Sequence, residues 1–154
     1  MAVLFFDSSG LVKRYIAEAG TAWVINQLCL SAGNDIFIAS ITGIEVASAI
    51  ARRLRSGSIS RSTADKALRR FKRDFDRRFI VADLTPKIIG QGILLAEKHG
   101  LRGYDTTQLA VGLSVNNRLA QSGIQNFTFI SADKDLNIAA NLEGLTIENP
   151  NNYP

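Results

Sequence analysis

Four of the fourteen acidic residues in this 154-residue chain stand at one kind of place. Asp7 closes the apolar run Ala2–Phe6, and Glu45 falls in the first turn of an amphipathic stretch that follows a second run, Ile36–Ala39. Asp105 opens a helical stretch after Gly103, and Asp133 follows a run ending at Ile130. Carboxylates drawn into one pocket repel, and a divalent cation removes that conflict. A donor set made only of oxygen suits Mg²⁺ or Mn²⁺. Each acid also has a plainer reading. Asp7, Asp105 and Asp133 all suit a helix N-cap. Thr42-Gly43-Ile44-Glu45 and Asp105-Thr106-Thr107-Gln108 both fit a capping box. Singly, the cap is the simpler explanation; the shared position of all four favours a site.

The elements that must hold these residues follow from the apolar pattern. Ala2–Phe6 is a short two-sided run, as in a strand buried on both faces of a parallel sheet. Asp7-Ser8-Ser9 starts a helix, with an amphipathic stretch from Leu11. A second strand at Ile36–Ala39 leads into a helix with Ile44, Ala47, Ile50 and Leu54 on one face, ended by Gly57. A helix over about Arg61–Arg78 carries the stripe Leu68, Phe71, Phe75. Phe79–Ala82 is a short strand or connector. Pro86 begins a helix that Gly100 terminates. Phe127–Ile130 is a strand, Asp133–Leu142 a short helix and Leu145–Ile147 a last strand. This alternation predicts one α/β domain over residues 1–150 with a mainly parallel sheet. Residues 151–154 form a short polar tail, expected to fray from Asn149 on. In such a sheet ligands bind outside the carboxyl ends of the strands. Strand ends and the helix starts that follow them share that edge, so the four acids converge there.

Composition narrows the class. The hydrophobic fraction is 46% and the charged fraction 21%, ordinary for a globular domain. A net charge of +4 is compatible with nucleic acid. The one cysteine, Cys29, rules out an intrachain disulfide and reads as a core hydrophobe between Leu28 and Leu30. The N-terminus lacks the basic region of a signal peptide, and no apolar run reaches the ~20 residues that span a bilayer. A soluble cytoplasmic protein without membrane partners is expected. The sequence has no GxxxxGK[ST] and no GxGxxG after the first strand. Asp7-Ser8-Ser9 departs from the Asp-x-Asp of aspartyl phosphatases. His99, the sole histidine, reads as a surface cation at a helix C-terminus, which leaves a Ser/His/Asp triad unsupported.

Four segments carry a resemblance. FFDSSGLVKRY with Asp7, ITGIEVASAIARR with Glu45, LRGYDTTQLAVGL with Asp105 and FISADKDLNIAANLEGLTIENP with Asp133 together resemble a PIN domain of the VapC toxin kind. The match runs over essentially the whole chain in the family's order. It departs at Thr106-Thr107, where relatives carry Ala and an apolar residue, at Ser131 in place of Thr, and in the polar segment Asn116–Asn126. The resemblance implies a Rossmann-like three-layer α/β/α sandwich and an endoribonuclease dependent on Mg²⁺ or Mn²⁺. Asp7, Glu45, Asp105 and Asp133 would be its catalytic, metal-binding acids. Asp7 and Asp105 are assigned as direct ligands, and Glu45 and Asp133 as holders of bound water or a second ion. Asp135 is a possible fifth acid. The implied partners are RNA, a small antitoxin and a second copy in a homodimer. A housekeeping PIN nuclease in RNA processing is the alternative enzyme. A non-catalytic RNA-binding or scaffold domain, its acids serving only as caps, is the alternative outside enzymes.

The stretch Arg61–Arg78 holds eight basic residues against Asp65, Asp74 and Asp76. It reads as a solvated outer face, as a phosphate-tracking surface or as a protein-partner surface.

Overall fold

A computed structural model describes residues 1–154. Five strands form one sheet in the order β3-β2-β1-β4-β5, and every neighbouring pair is parallel. They are β1 (Val3–Phe6), β2 (Asp35–Ala39), β3 (Ile80–Ala82), β4 (Phe127–Ile130) and β5 (Ile147–Glu148). The helices are α1 (Ser8–Leu11), α2 (Thr21–Leu28), α3 (Thr42–Arg55), α4 (Arg61–Arg77), α5 (Pro86–His99), α6 (Gly103–Gln121) and α7 (Lys134–Leu142).

The two-sided burial of β1 decides the layering. Alternate residues of a strand point to opposite faces. Val3 and Phe5 therefore join a core built with α5, α6 and α7. Leu4 and Phe6 join another, built with α1 to α4. The result is a three-layer α/β/α sandwich. The chain winds outward from β1 through β2 to β3, then crosses back to place β4 on the other side of β1. The gap between the carboxyl ends of β1 and β4 is thus a topological switch point, where α/β sheets hold ligands.

Several expectations change. The amphipathic stretch from Leu11 is no single helix. A 3-10 turn at Val12–Arg14 follows α1, and Gly20, at φ 86°, restarts the chain into α2. Cys29 is partly exposed just after α2, where its thiol contacts Ser31 and the Asn26 carbonyl, so it is not a core residue. The last strand begins two residues later than expected and ends one later, with Leu145 buried before it. The tail is packed, because Pro150 lies against Gly20 and the Tyr153 ring stacks on Trp23 at 4.9 Å. His99 is no free surface cation either. Its ring is nearly buried and meets Glu143, which Lys98 also binds, tying the end of α5 to the end of α7. No helix is long and apolar enough to cross a membrane.

Gly112 sets how closely α6 approaches the sheet. A Cβ there would lie 2.7 Å from the ring of Phe129, which stacks on Phe5 at a centroid distance of 5.3 Å. Alanine in place of a helical glycine gains about 1 kcal/mol of propensity. Overpacking a tight core costs about 1–3 kcal/mol. With both rings fully buried the second effect should win, so Gly112→Ala is expected to lower stability by about 1 kcal/mol or more in urea unfolding. A variant as stable as the parent would mean that the Phe129 ring yields.

Candidate active site

The turn after β1 buries Asp7 to 2% exposure. Its carboxylate caps α1 by accepting from the Gly10 N–H at 2.8 Å, and it accepts hydrogen bonds from the hydroxyls of Ser9 and Ser131. Those donors favour the ionised form. Burial outweighs them, and with a smaller push from the Glu45 charge it raises the Asp7 carboxyl to about 7.

Ser131 follows β4 directly. Besides donating to Asp7, its oxygen accepts the Asp133 N–H at 3.0 Å. The Ser9 oxygen accepts the Ala132 N–H at 2.9 Å. These bonds lace the ends of β1 and β4 together. Asp133 caps α7 through Oδ1, which accepts the Leu136 N–H at 2.8 Å. Asp7 and Asp133 therefore both do the capping that the plainer reading assigns them.

Glu45 and Asp105 do not. The N-cap of α3 is Ile41, which offers no side-chain bond, so the Thr42–Glu45 capping box does not form. Glu45 Oε2 instead accepts from Gln108 Nε2 at 3.2 Å. That nitrogen also lies 2.9 Å from the Thr42 hydroxyl oxygen. Glu45 Oε1 is shut off from water without a partner, as is Gln108 Oε1. Asp105 is the third residue of α6, whose N-cap is Arg102, so the second capping box fails as well. Asp105 is half-buried. Its carboxyl rises to about 6 through burial first, then through the charges of Asp133 and Glu45, against a lowering by Arg102.

All four acids line one cleft of about 530 Å³, which Lys13, Arg52 and Arg53 also line, with Glu18 beside them. Asp135 stands exposed in the first turn of α7 and does not line it. As the side chains stand, no three His, Cys, Asp or Glu groups are gathered at the spacing that holds a metal ion. Both oxygens of Asp7 are turned onto serine and backbone donors, whereas Asp133 is engaged through Oδ1 alone and Glu45 and Asp105 cap no helix. The donor chemistry nevertheless fits a hard divalent cation. Every donor is oxygen, one buried carboxylate oxygen has no partner, and burial, with a smaller push from like charges, raises two of the acids.

Ser9, Thr42 and Gln108 were not picked out as site residues from the sequence. Gln108 stands one helical turn after Asp105, but its contact with α3 spans 63 residues and leaves no local signal.

No protein-family profile matches the chain, and no curated protein matches it in sequence. Solved structures do. PAE2754 from Pyrobaculum aerophilum superposes with a TM-score of 0.62 at 17% identity, covering 95% of this chain and 83% of that one. FitAcB from Neisseria gonorrhoeae gives 0.59 at 17% identity, over 96% and 97%. VapBC2 from Rickettsia felis, solved with a DNA fragment from its promoter, gives 0.60 at 16%, over 96% and 98%. The chain thus shares the fold of these proteins, an α/β/α sandwich of the PIN-domain kind.

Proposed function

We propose that this protein is an endoribonuclease that depends on Mg²⁺ or Mn²⁺ and acts as the toxin of a toxin–antitoxin pair. The observation that carries the reading is the meeting of Asp7, Glu45, Asp105 and Asp133 in one cleft at the switch point of a parallel sheet. Two of these acids, Glu45 and Asp105, cap no helix.

In this reading Asp7 and Asp105 are direct ligands, and Glu45 and Asp133 act through water or a second ion. A divalent cation held there supplies acidity to water and charge for the leaving oxygen. The chain's own residues orient the donors. Ser9, Ser131 and the Gly10 N–H fix Asp7, and Gln108 aims Glu45 by holding one of its oxygens. Of the two acids that act through water, Glu45 and Asp133, one serves as the general base for the attacking water. The toxin assignment, a small antitoxin partner and a homodimer draw on the VapC resemblance in sequence and on the fold shared with FitAcB and VapBC2.

The test is metal removal. Purified protein should cleave an RNA pool in Mn²⁺, leave it intact in EDTA, and unfold at a higher temperature in Mn²⁺ than in EDTA. Saturation at a hundred times the dissociation constant stabilises by about 2.7 kcal/mol. An unchanged unfolding temperature together with no cleavage returns all four acids to structural roles. It would favour a scaffold domain.

A further inference from the structure

The carboxylate cleft has a second pole. On α3, Glu45, Ala49, Arg52 and Arg53 follow one another at helical spacing, and all line the cleft. Arg52 and Arg53 also line, with Ala49, Arg55 and Ser56, an adjoining groove of about 450 Å³. Cations in the last turn of a helix suit its dipole, and that accounts for the sign of the charges there. It does not account for two of them facing an acidic cleft.

The two arginines are held differently. Glu18 binds Arg53 Nη2 at 2.7 Å, and its other oxygen takes Lys13 at 3.2 Å. Lys13 is almost wholly buried and also donates to the Ala19 carbonyl, so it is committed to the fold. Arg53 Nη1 is shut off from water and has no partner. Glu18 holds this guanidinium through one nitrogen only, so no bidentate carboxylate closes its fork, and the side chain stays 30% exposed, where phosphate oxygens match its geometry. Arg52 is exposed and enters no ion pair. At 1.5 Å per residue the pair lies about 10–12 Å along α3 from Glu45. That is too far for the phosphate reacting at the carboxylates and suits a neighbouring one.

We infer that Arg52 and Arg53 form a binding site for a backbone phosphate of an RNA strand, flanking the phosphodiester held at the carboxylates, with Glu18 positioning Arg53. The inference rests on the ribonuclease reading and names how that cleft holds its substrate. The path of the strand follows as well: the RNA lies along α3, between its acidic first turn and its basic last turn.

The test is binding of a labelled single-stranded RNA oligomer in EDTA, by fluorescence anisotropy across a salt series. Arg52→Gln with Arg53→Gln should weaken binding about tenfold and flatten the salt dependence by roughly 1.4 in log–log slope, as expected for two lost phosphate contacts on a single strand. Lys87→Gln with Arg118→Gln removes the same charge from a different groove and should change affinity less than twofold. Arg53→Lys keeps the charge but loses the fork, so a severalfold loss there marks a positioned contact and covers the case of a double variant that folds poorly. Affinity within twofold of the parent in the double variant, or equal losses in both double variants, overturns the site. It would leave the arginines to an acidic protein segment or to general attraction. Cleavage of the same oligomer by the parent protein in Mn²⁺ tests the ribonuclease reading separately: a protein that cleaves but binds without Arg52 and Arg53 loses only the subsite.

Discussion

Asp7→Asn should abolish RNA cleavage, leave the protein folded and change the way its stability responds to pH. Loss of a residue that merely supports a metal ligand costs 10–100-fold, so loss of a ligand should exceed about a hundredfold. The stability effect comes from burial. The folded carboxyl sits at about 7 against 3.8 for a free one, so the folded protein holds this proton more tightly than the unfolded chain does. Below 3.8 both forms are protonated, and the group costs nothing. As pH rises toward 7 the unfolded carboxyl ionises while the buried one resists, and stability falls; above about 7 the loss is complete. At about 1.4 kcal/mol per pH unit the loss is on the order of a few kcal/mol. The amide of the variant stays neutral, can still accept the Gly10 N–H, and can donate to the hydroxyl oxygens of Ser9 or Ser131 once these rotate. Asp105, raised to about 6, contributes with the same sign in both proteins. The informative quantity is therefore the difference between parent and variant in metal-free urea unfolding, which should grow in the variant's favour between about pH 4 and 7. Near-parental cleavage by the variant would end the site assignment. A variant less stable at every pH would show that the serine network needs the charge more than burial opposes it.

Asp74→Ala should be the most destabilising single change in the outer layer. Asp74 lies on the basic helix α4, yet it is 3% exposed. One of its oxygens accepts from Arg14 Nε at 2.8 Å and from the Tyr15 hydroxyl at 3.0 Å. Burial, and then the Asp74 charge, push the Tyr15 hydroxyl well above its ordinary range. Removing the acid strands a guanidinium whose side chain is 9% exposed. Breaking a buried pair from one side costs about 3–5 kcal/mol. Set against a total of about 5–15 kcal/mol, that is enough to bring unfolding near ambient temperature. Asp74→Asn keeps an acceptor and should cost less. Urea midpoints for the two variants check the order, and a loss below about 1 kcal/mol in the alanine variant would show that Arg14 finds water instead.

The elements that place the candidate site were legible because they depend on local pattern. The two-sided run Val3–Phe6 marks a central strand, Pro86 a helix start and Gly100 a helix end, and each stands where its chemistry puts it. Acids at strand ends and helix starts were legible for the same reason. What stayed hidden depends on partners remote in sequence. Glu45 resembles the last member of a capping box, but Gln108 from α6 claims it and Ile41 takes the cap position. Asp74 looks like one charge among many on a solvated face, and only Arg14 and Tyr15, some sixty residues earlier, show it to be internal. A polar tail suggests fraying until Trp23 provides a ring for Tyr153. The exposed face of α4 remains strongly basic, with Arg69, Arg70, Lys72, Arg73 and Arg77 outward, while Arg78 is turned to the Leu28 carbonyl.

The position of β1 between β2 and β4 has a consequence in time. The earliest of the five strands to be synthesised cannot complete its pairing until residues 127–130 exist, because Val3 pairs with Phe127 and Phe6 with Ile130. Asp7 and the Ser131 hydroxyl that holds it are 124 residues apart. Contacts of that separation form late, since the loop between them must close first. A ribosome making this chain therefore carries the pieces of the cleft, without an assembled one, until β4 has emerged. Any product that stops before β4 lacks Asp133, the β1–β4 seam and the cleft they build. The topology thus keeps the four acids from meeting in the growing chain until the last third of it has been made.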